Sequence, residues 1–251
     1  MDVDVQNYVR SLTLRSPDHV RVGPFTIRYN PDWAIPPANY AIPDQGAEPT
    51  AAEVAALIAV FRERERTPRL EFLPSCAPEV EPALADAGFT VDRRAPLLAC
   101  APGSLVEPPP AAGITLGEPH DLAGYTAAAG VQHLAYGESG EPTEGEIDWL
   151  RQARAGGGVA GIATDDTDGG AVGAGGCSIP VDGLSELCGL AVAASHRRRG
   201  IGAALSSYLT ARAFERGCRM VWLEPGDADV ERIYAGIGYR RIAVKTDMSL
   251  Q

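Results

Sequence analysis

The chain has 251 residues, 45% hydrophobic and 22% charged, enough for one large domain or two small ones with a substantial core. Its 22 basic and 33 acidic residues give a net charge of −11, a poor starting point for binding phosphodiester backbones or anionic membrane. No stretch approaches the roughly 20 apolar residues of a membrane span, and the N-terminus has no apolar h-region. Five cysteines without a CxxC spacing suggest neither a disulfide framework nor a zinc knuckle. They read as small buried side chains in a reducing, cytoplasmic protein, and no metal is expected. Lys245 is the only lysine.

In chain order, a proline-rich stretch from Pro31 to Pro49 interrupts the N-terminal part. A second, Ala101 to Pro110, ends in three prolines, which can continue neither a helix nor a central strand. It reads as a linker over 101–112. Residues 113–117 then predict a strand, 120–134 a helix, and 144–155 a helix with Thr143 as N-cap. Residues 158–163 and 170–179 read as a hairpin around the turn at 165–169, and 184–193 as a buried strand. The helix at 200–216 is amphipathic, with Ile201, Ala204, Leu205, Tyr208 and Leu209 on one face. A strand at 219–223, a short helix at 228–236 and an extended run at 239–250 complete the pattern.

The first part repeats the last. Residues 70–99 fall on 220–249 without a gap at a shift of 150. Leu73, Val80, Glu81, Ala85 and Gly88 meet their own kind at Leu223, Val230, Glu231, Ala235 and Gly238, and Phe89 meets Tyr239. Both copies read strand, short helix, Gly-aromatic, strand, which indicates an internal duplication.

Chemistry concentrates between Leu187 and Leu205. An apolar strand ends near Ala193, a polar turn follows, and Gly200-Ile-Gly202 opens the long helix. Helix N-termini offer unpaired N–H groups and partial positive charge. Glycine lets an anion approach the backbone, and Arg197, Arg198 and Arg199 add charge in an acidic chain. This is a pyrophosphate cradle. It lacks the lysine of a nucleoside-triphosphate loop, and Leu205 stands where a dinucleotide fingerprint needs its third glycine.

The spacing Arg197-x-x-Gly200-x-Gly202-Ala203 closely resembles the acyl-CoA signature of the GNAT N-acetyltransferase superfamily. The run Asp227 to Tyr239 resembles that family's last motif, with Asp227 where asparagine is frequent and Val230 where alanine is usual. The resemblance spans about 113–250. It implies an α/β fold, a mixed and mostly antiparallel central sheet flanked by helices. It divides the chain into a degenerate GNAT-like N-terminal domain (1–100), a linker (101–112) and a catalytic domain (113–251). It implies acetyl-CoA as acyl donor, held by loop residues Arg197, Arg198, Arg199, Gly200, Ile201, Gly202 and Ala203. Leu190, Ala191 and Val192 would meet the pantetheine arm, and Asp227 would border it. Glu186 would accept the amine proton and Tyr234 would protonate the departing thiolate.

His133 is a weaker candidate base and Cys188 a weaker nucleophile. The segment 137–148 carries five carboxylates and no basic residue, which favours a small cationic amine as acceptor. The expected assembly is a monomer or homodimer without nucleic acid or membrane. A CoA-binding module without catalysis, a longer acyl group, O-acylation and a peptide amine stay open. The N-terminal copy cannot build the same cradle, because Ala47–Ala52 stands in the place of Arg197–Gly202 and Leu84 in the place of Tyr234.

Overall fold

A computed structural model describes residues 1–31 and 34–251, so the Asp32-Trp33 step of the first proline-rich stretch lies outside it. In chain order the elements are α1 (Asp2–Arg15), β1 (Val20–Val22), β2 (Phe25–Arg28), β3 (Tyr40–Pro43), α2 (Ala51–Glu63), β4 (Arg69–Phe72), α3 (Val80–Asp86) and β5 (Thr90–Cys100). They continue with β6 (Ile114–Gly117), α4 (Leu122–Ala135), α5 (Glu144–Ala155), β7 (Val159–Asp165), β8 (Ala171–Cys177), β9 (Leu184–Val192), α6 (Ile201–Glu215), β10 (Met220–Leu223), α7 (Ala228–Gly236) and β11 (Arg240–Ser249). Every element read from the sequence after residue 112 is present, displaced by a residue or two at its ends.

The duplication extends beyond the segment that revealed it. A shift of 150 carries the start of α2 onto the start of α6 and the start of β5 onto the start of β11. It also carries β4 to within a residue of β10, and α3 onto α7.

Two compact units result. The first comprises 1–97 with 241–251, and the second comprises 98–240. The boundary therefore runs through β5 and β11, and the proline-rich 101–112 lies wholly inside the second unit. There it is stitched down: Val106 N donates to Ile237 O (3.1 Å), and Ser207 Oγ donates to Val106 O (2.8 Å).

In the first unit the antiparallel meander β1-β2-β3 continues to β4, which pairs with β11 through Leu70↔Met248 and Phe72↔Thr246. Phe25, Leu57, Phe61, Leu70, Phe72, Leu84 and Met248 form its core. In the second unit the last residues of β5 pair antiparallel with β10, and the order runs on through β9, β8, β7 and β6. Only β9 and β10 are parallel there. Helices α4 and α5 cover one face of β7–β9 through Tyr125, Ala128, Leu150 and Ala191. Helix α6 covers the other through Ile201, Leu205 and Leu209. The expected Thr143 cap is present as a capping box: Thr143 Oγ1 accepts from Glu146 N, and Glu146 Oε2 accepts from Thr143 N (2.7 Å).

Candidate active site

The site grows from one irregularity in the second unit's sheet. Strand β9 pairs with β10 only through Leu184, Ser185 and Glu186, the last register pair being Trp222↔Glu186. From residue 187 onward β9 stays bonded to β8 while β10 turns away toward α7. Backbone edges of β9 therefore face an opening instead of a neighbour strand. Within that stretch β9 also carries a bulge against β8, between Ala174 and Gly176, opposite Gly189. Gly189 has φ 65°, a conformation open to glycine at little expense. The carbonyl the bulge exposes is taken by α4, where Gln132 Nε2 donates to Gly189 O (2.6 Å). The extra residue changes which side chains face which helix. Ala191 packs on the α4–α5 side, whereas Leu190 and Val192 pack on the α6 side.

At the far end of the opening the chain turns into α6. Gly200 is the N-cap, with φ 81° and no capping side chain. The first N–H groups of α6, at Ile201, Gly202 and Ala203, therefore lie outside any side-chain cap. A Cβ added at Gly202 would find Val192 Cγ2 at 3.8 Å and Leu190 Cδ2 at 4.0 Å, ordinary contacts. Packing alone thus does not demand glycine there. Arg197, Arg198 and Arg199 are exposed beside it. Arg197 Nε donates to Val192 O (3.1 Å) and Arg199 to Ala112 O (3.2 Å), so two of the three anchor the loop as well as charging it.

Glu186 sits half-buried on the last paired residue. Its N–H donates to Ser178 Oγ (2.8 Å), and its C=O accepts from Ser178 N (2.9 Å). Cys188 follows on the same strand, and burial, reinforced by the Glu186 carboxylate, pushes its thiol well above the ordinary range. It is held as a thiol, which argues against a covalent acyl-cysteine route. Tyr234 projects from α7 and is 6% exposed, packed 5.7 Å from the Tyr239 ring. Burial raises its phenol to about 12. The buried Ser206 hydroxyl tempers that rise without reaching hydrogen-bond geometry. Cys188 and Tyr136 both act electrostatically on Tyr234, so the opening gathers Glu186, Cys188, Tyr234 and Tyr136.

Two predicted residues have structural partners. Asp227 is the N-cap of α7, its Oδ1 accepting from Asp229 N and Val230 N (both 2.8 Å). His133 is buried with both ring nitrogens engaged, Nδ1 with Glu146 (3.0 Å) and Nε2 with Ser139 O (3.2 Å). Both partners are acceptors, so this imidazole is a cationic brace between α4 and α5 and is poorly placed as a base. Sequence reasoning missed Gln132, Tyr136 and Trp149. A Cβ built on Gly189 would lie 3.8 Å from Trp149.

The equivalent place in the first unit is closed by its own side chains. Strands β3 and β4 share a single register pair, Ala41↔Leu70. Where they part, Gln6 of α1 inserts: its Oε1 accepts from Leu73 N (2.9 Å) and its Nε2 donates to Pro43 O (3.4 Å). The α2 N-terminus, counterpart of the α6 cradle, is filled by a capping box whose Glu53 carboxylate bonds Thr50 N (2.8 Å).

The acetyltransferase (GNAT) family model matches residues 127–239, which contain the parted strands, the bulge, the cradle and Tyr234. Residues 127–239 form a GNAT acetyltransferase domain. A GCN5-related N-acetyltransferase from Kribbella flavida is similar over nearly the whole length, with 27% identity, TM-score 0.82, and 99% of this chain and 95% of that one covered. A GCN5-related N-acetyltransferase from Sphaerobacter thermophilus shares the fold at 17% identity and TM-score 0.59, covering 73% of this chain and 60% of that one. A tandem GNAT protein from the clavulanic acid biosynthesis pathway does so at 15% identity and TM-score 0.63, covering 98% and 87%. No curated protein matches the chain in sequence. GNAT proteins use acetyl-CoA as acyl donor, and no helix among the described residues is long and apolar enough to cross a membrane.

Proposed function

We propose that the protein is an acetyl-CoA-dependent N-acetyltransferase acting on the primary amine of a small cationic molecule, by direct transfer in the second unit. The observation that carries this reading is the place where β9 leaves β10. It has an uncapped helix N-terminus flanked by arginines at one end, and a carboxylate and a phenol at the other. Acetyl-CoA supplies an acyl group activated as a thioester.

The cradle at 197–203 holds the donor's phosphates by backbone N–H groups, helix dipole and arginine charge. Leu190, Ala191 and Val192 offer the β9 backbone along the opening, where an N–H can polarise a carbonyl. Glu186 accepts the proton the amine must lose, directly or through one water. Tyr234 donates a hydrogen bond to the departing sulfur.

The acceptor reading rests on charge. Of the five carboxylates in 137–148, Glu146 is engaged by His133 and the capping box, and Asp148 by Arg151 (2.7 Å). Glu138, Glu141 and Glu144 stay exposed and give the approach a negative rim. Tyr136 and Trp149 are exposed to 63% and 44%, so an apolar body behind the ammonium would also find contacts.

Calorimetric titration of acetyl-CoA into the wild type and Gly202→Glu tests the donor. The new carboxylate has room and sits where the α6 dipole favours it, so the variant keeps its melting temperature. It is expected to lose acetyl-CoA binding. Thiol release with a panel of amines then tests transfer. Binding without release from any amine would leave a CoA-binding module, and no binding to the wild type would remove the donor.

A further inference from the structure

The segment joining β9 to α6 is difficult to hold in one shape. It exposes three consecutive arginines, which repel one another. It also places Arg198 at φ 63° and Gly200 at φ 81°, and the first of these is an unfavourable backbone for a residue with a side chain. Such a loop stays ordered in the absence of an anion only if its neighbours fix it.

A fixing element comes from the β7–β8 turn. His196 Nε2 lies 2.9 Å from Asp165 Oδ2, and His196 Nδ1 lies 2.8 Å from Ser195 Oγ. The His196 and Asp165 side chains are only 20% and 18% exposed. The ionised Asp165 carboxylate can only accept, so Nε2 carries the hydrogen toward it, and Nδ1 can then accept from the Ser195 hydroxyl. One neutral tautomer satisfies both contacts. Asp165 is itself immobilised. Its Oδ1 accepts from Thr167 N (2.9 Å), its N–H donates to Gly170 O (2.9 Å), and its C=O accepts from Gly169 N (2.8 Å). The Thr167 N–H bond to this carboxylate, followed by the His196 contact, keeps it ionised, its pKa lowered to about 2.

We propose that Asp165 and His196 are positioning residues for the acyl donor, tying the arginine loop to the rigid β7–β8 turn so that the phosphate cradle exists before the donor arrives. This rests on the donor site proposed above. The turn at 165–169 then acts as a buttress of the cradle as well as a hairpin connection. Neither side chain needs to touch the donor. The gain is in ordering: a loop already in its bound shape loses less freedom on binding.

The test is calorimetric titration of acetyl-CoA into wild type, Asp165→Ala, Asp165→Asn, His196→Ala and the double alanine variant, with steady-state kinetics beside it. Either alanine substitution should weaken donor affinity about tenfold and raise the acetyl-CoA KM in step, with kcat unchanged. Asp165→Asn keeps an oxygen that accepts from Nε2 and should stay within about threefold of wild type. The double variant should bind about as weakly as either single one, because both remove the same tie. Amide exchange of the free proteins gives a readout that needs no donor, and residues 194–203 should be protected in wild type and Asp165→Asn and lose protection in Asp165→Ala. Unchanged affinity in the alanine variants, additive effects in the double variant, or unchanged loop protection would each overturn the proposal. A wild type that fails to bind acetyl-CoA would overturn the donor reading and this proposal together, whereas binding that the alanine variants retain would overturn this proposal alone.

Discussion

Tyr234 shows how environment sets a residue's part in catalysis. Its phenol, raised to about 12 by burial, is a much weaker acid than a free thiol near 8.5. Complete proton transfer to a departing thiolate would be uphill by roughly 5 kcal/mol. Tyr234 therefore fits better as a hydrogen-bond donor that stabilises the leaving sulfur, with solvent completing the protonation. Tyr234→Phe should lower kcat about 10- to 100-fold and leave the acetyl-CoA dissociation constant within about twofold. Because the phenol lies outside hydrogen-bond geometry with Ser206, the melting temperature should barely move. A loss of donor binding would instead make the hydroxyl part of the cradle. Glu186 makes the opposite demand, since it must be ionised to accept a proton. Glu186→Gln should cut kcat/KM about 100-fold at pH 7 and abolish the acid limb of the pH profile while sparing donor affinity. An unchanged profile would pass the base to another group.

At the scale of elements, legibility follows sequence distance. The cradle could be read because strand, arginines, glycines and helix are consecutive. The parted strands could not, since where β10 leaves β9 depends on packing between residues far apart in sequence. The same holds for the ties that shape the site, His133 to Glu146 and His196 to Asp165, which join separate elements. His133 illustrates the consequence. Its two ring nitrogens face Glu146 and Ser139 O, with Glu138 nearby, and the hydrogen bond to Glu146 chiefly raises its pKa. A raised folded pKa means that this stabilisation is complete below the unfolded value near 6.5 and is lost as pH climbs through the folded value. The α4–α5 connection should therefore loosen on the alkaline side. Limited proteolysis within 137–143 should speed up above neutrality in the wild type, and His133→Gln should be cleaved at a rate that hardly depends on pH over the same range. A pH-dependent rate in the variant matching the wild type would assign the effect elsewhere.

At the scale of the molecule, the repeat of α2, β4, α3 and β5 as α6, β10, α7 and β11 is interleaved through its last strands. After the short helix of the second repeat, β11 joins the first unit and pairs with β4, and after that of the first repeat only the last residues of β5, Leu98–Cys100, enter the second unit and pair with β10. Sequence spacing revealed the repeat but not the interleaving, because which strand β4 and β10 each take as antiparallel neighbour is set by pairing between residues far apart in sequence, Leu70 with Met248 and Trp222 with Ala99. The proline-rich 101–112 follows three residues after the start of the second unit at Leu98.

The interleaving makes the extreme C-terminus structural for the N-terminal unit. Thr246, Asp247, Met248 and Ser249 are all at least 97% buried. Arg69 reaches Asp247 (3.1 Å), Lys245 reaches Glu71 (2.7 Å), and Arg94 donates to Thr246 Oγ1 (2.8 Å). Removing 241–251 would uncover one edge of β4, leave Arg69 without the buried Asp247 carboxylate, and expose the Leu70 and Phe72 layer of the core. Met248 alone accounts for about 2 kcal/mol of burial. Together with the lost strand pairing, this is a large part of the 5–15 kcal/mol that holds a typical domain. A chain ending at Arg240 should lose amide protection across β1–β4 and α2 while keeping it in β7–β9 and α6, and proteolysis should leave a resistant fragment within 98–240. Retained protection across β1–β4 would mean that the N-terminal repeat holds its fold without the borrowed strand.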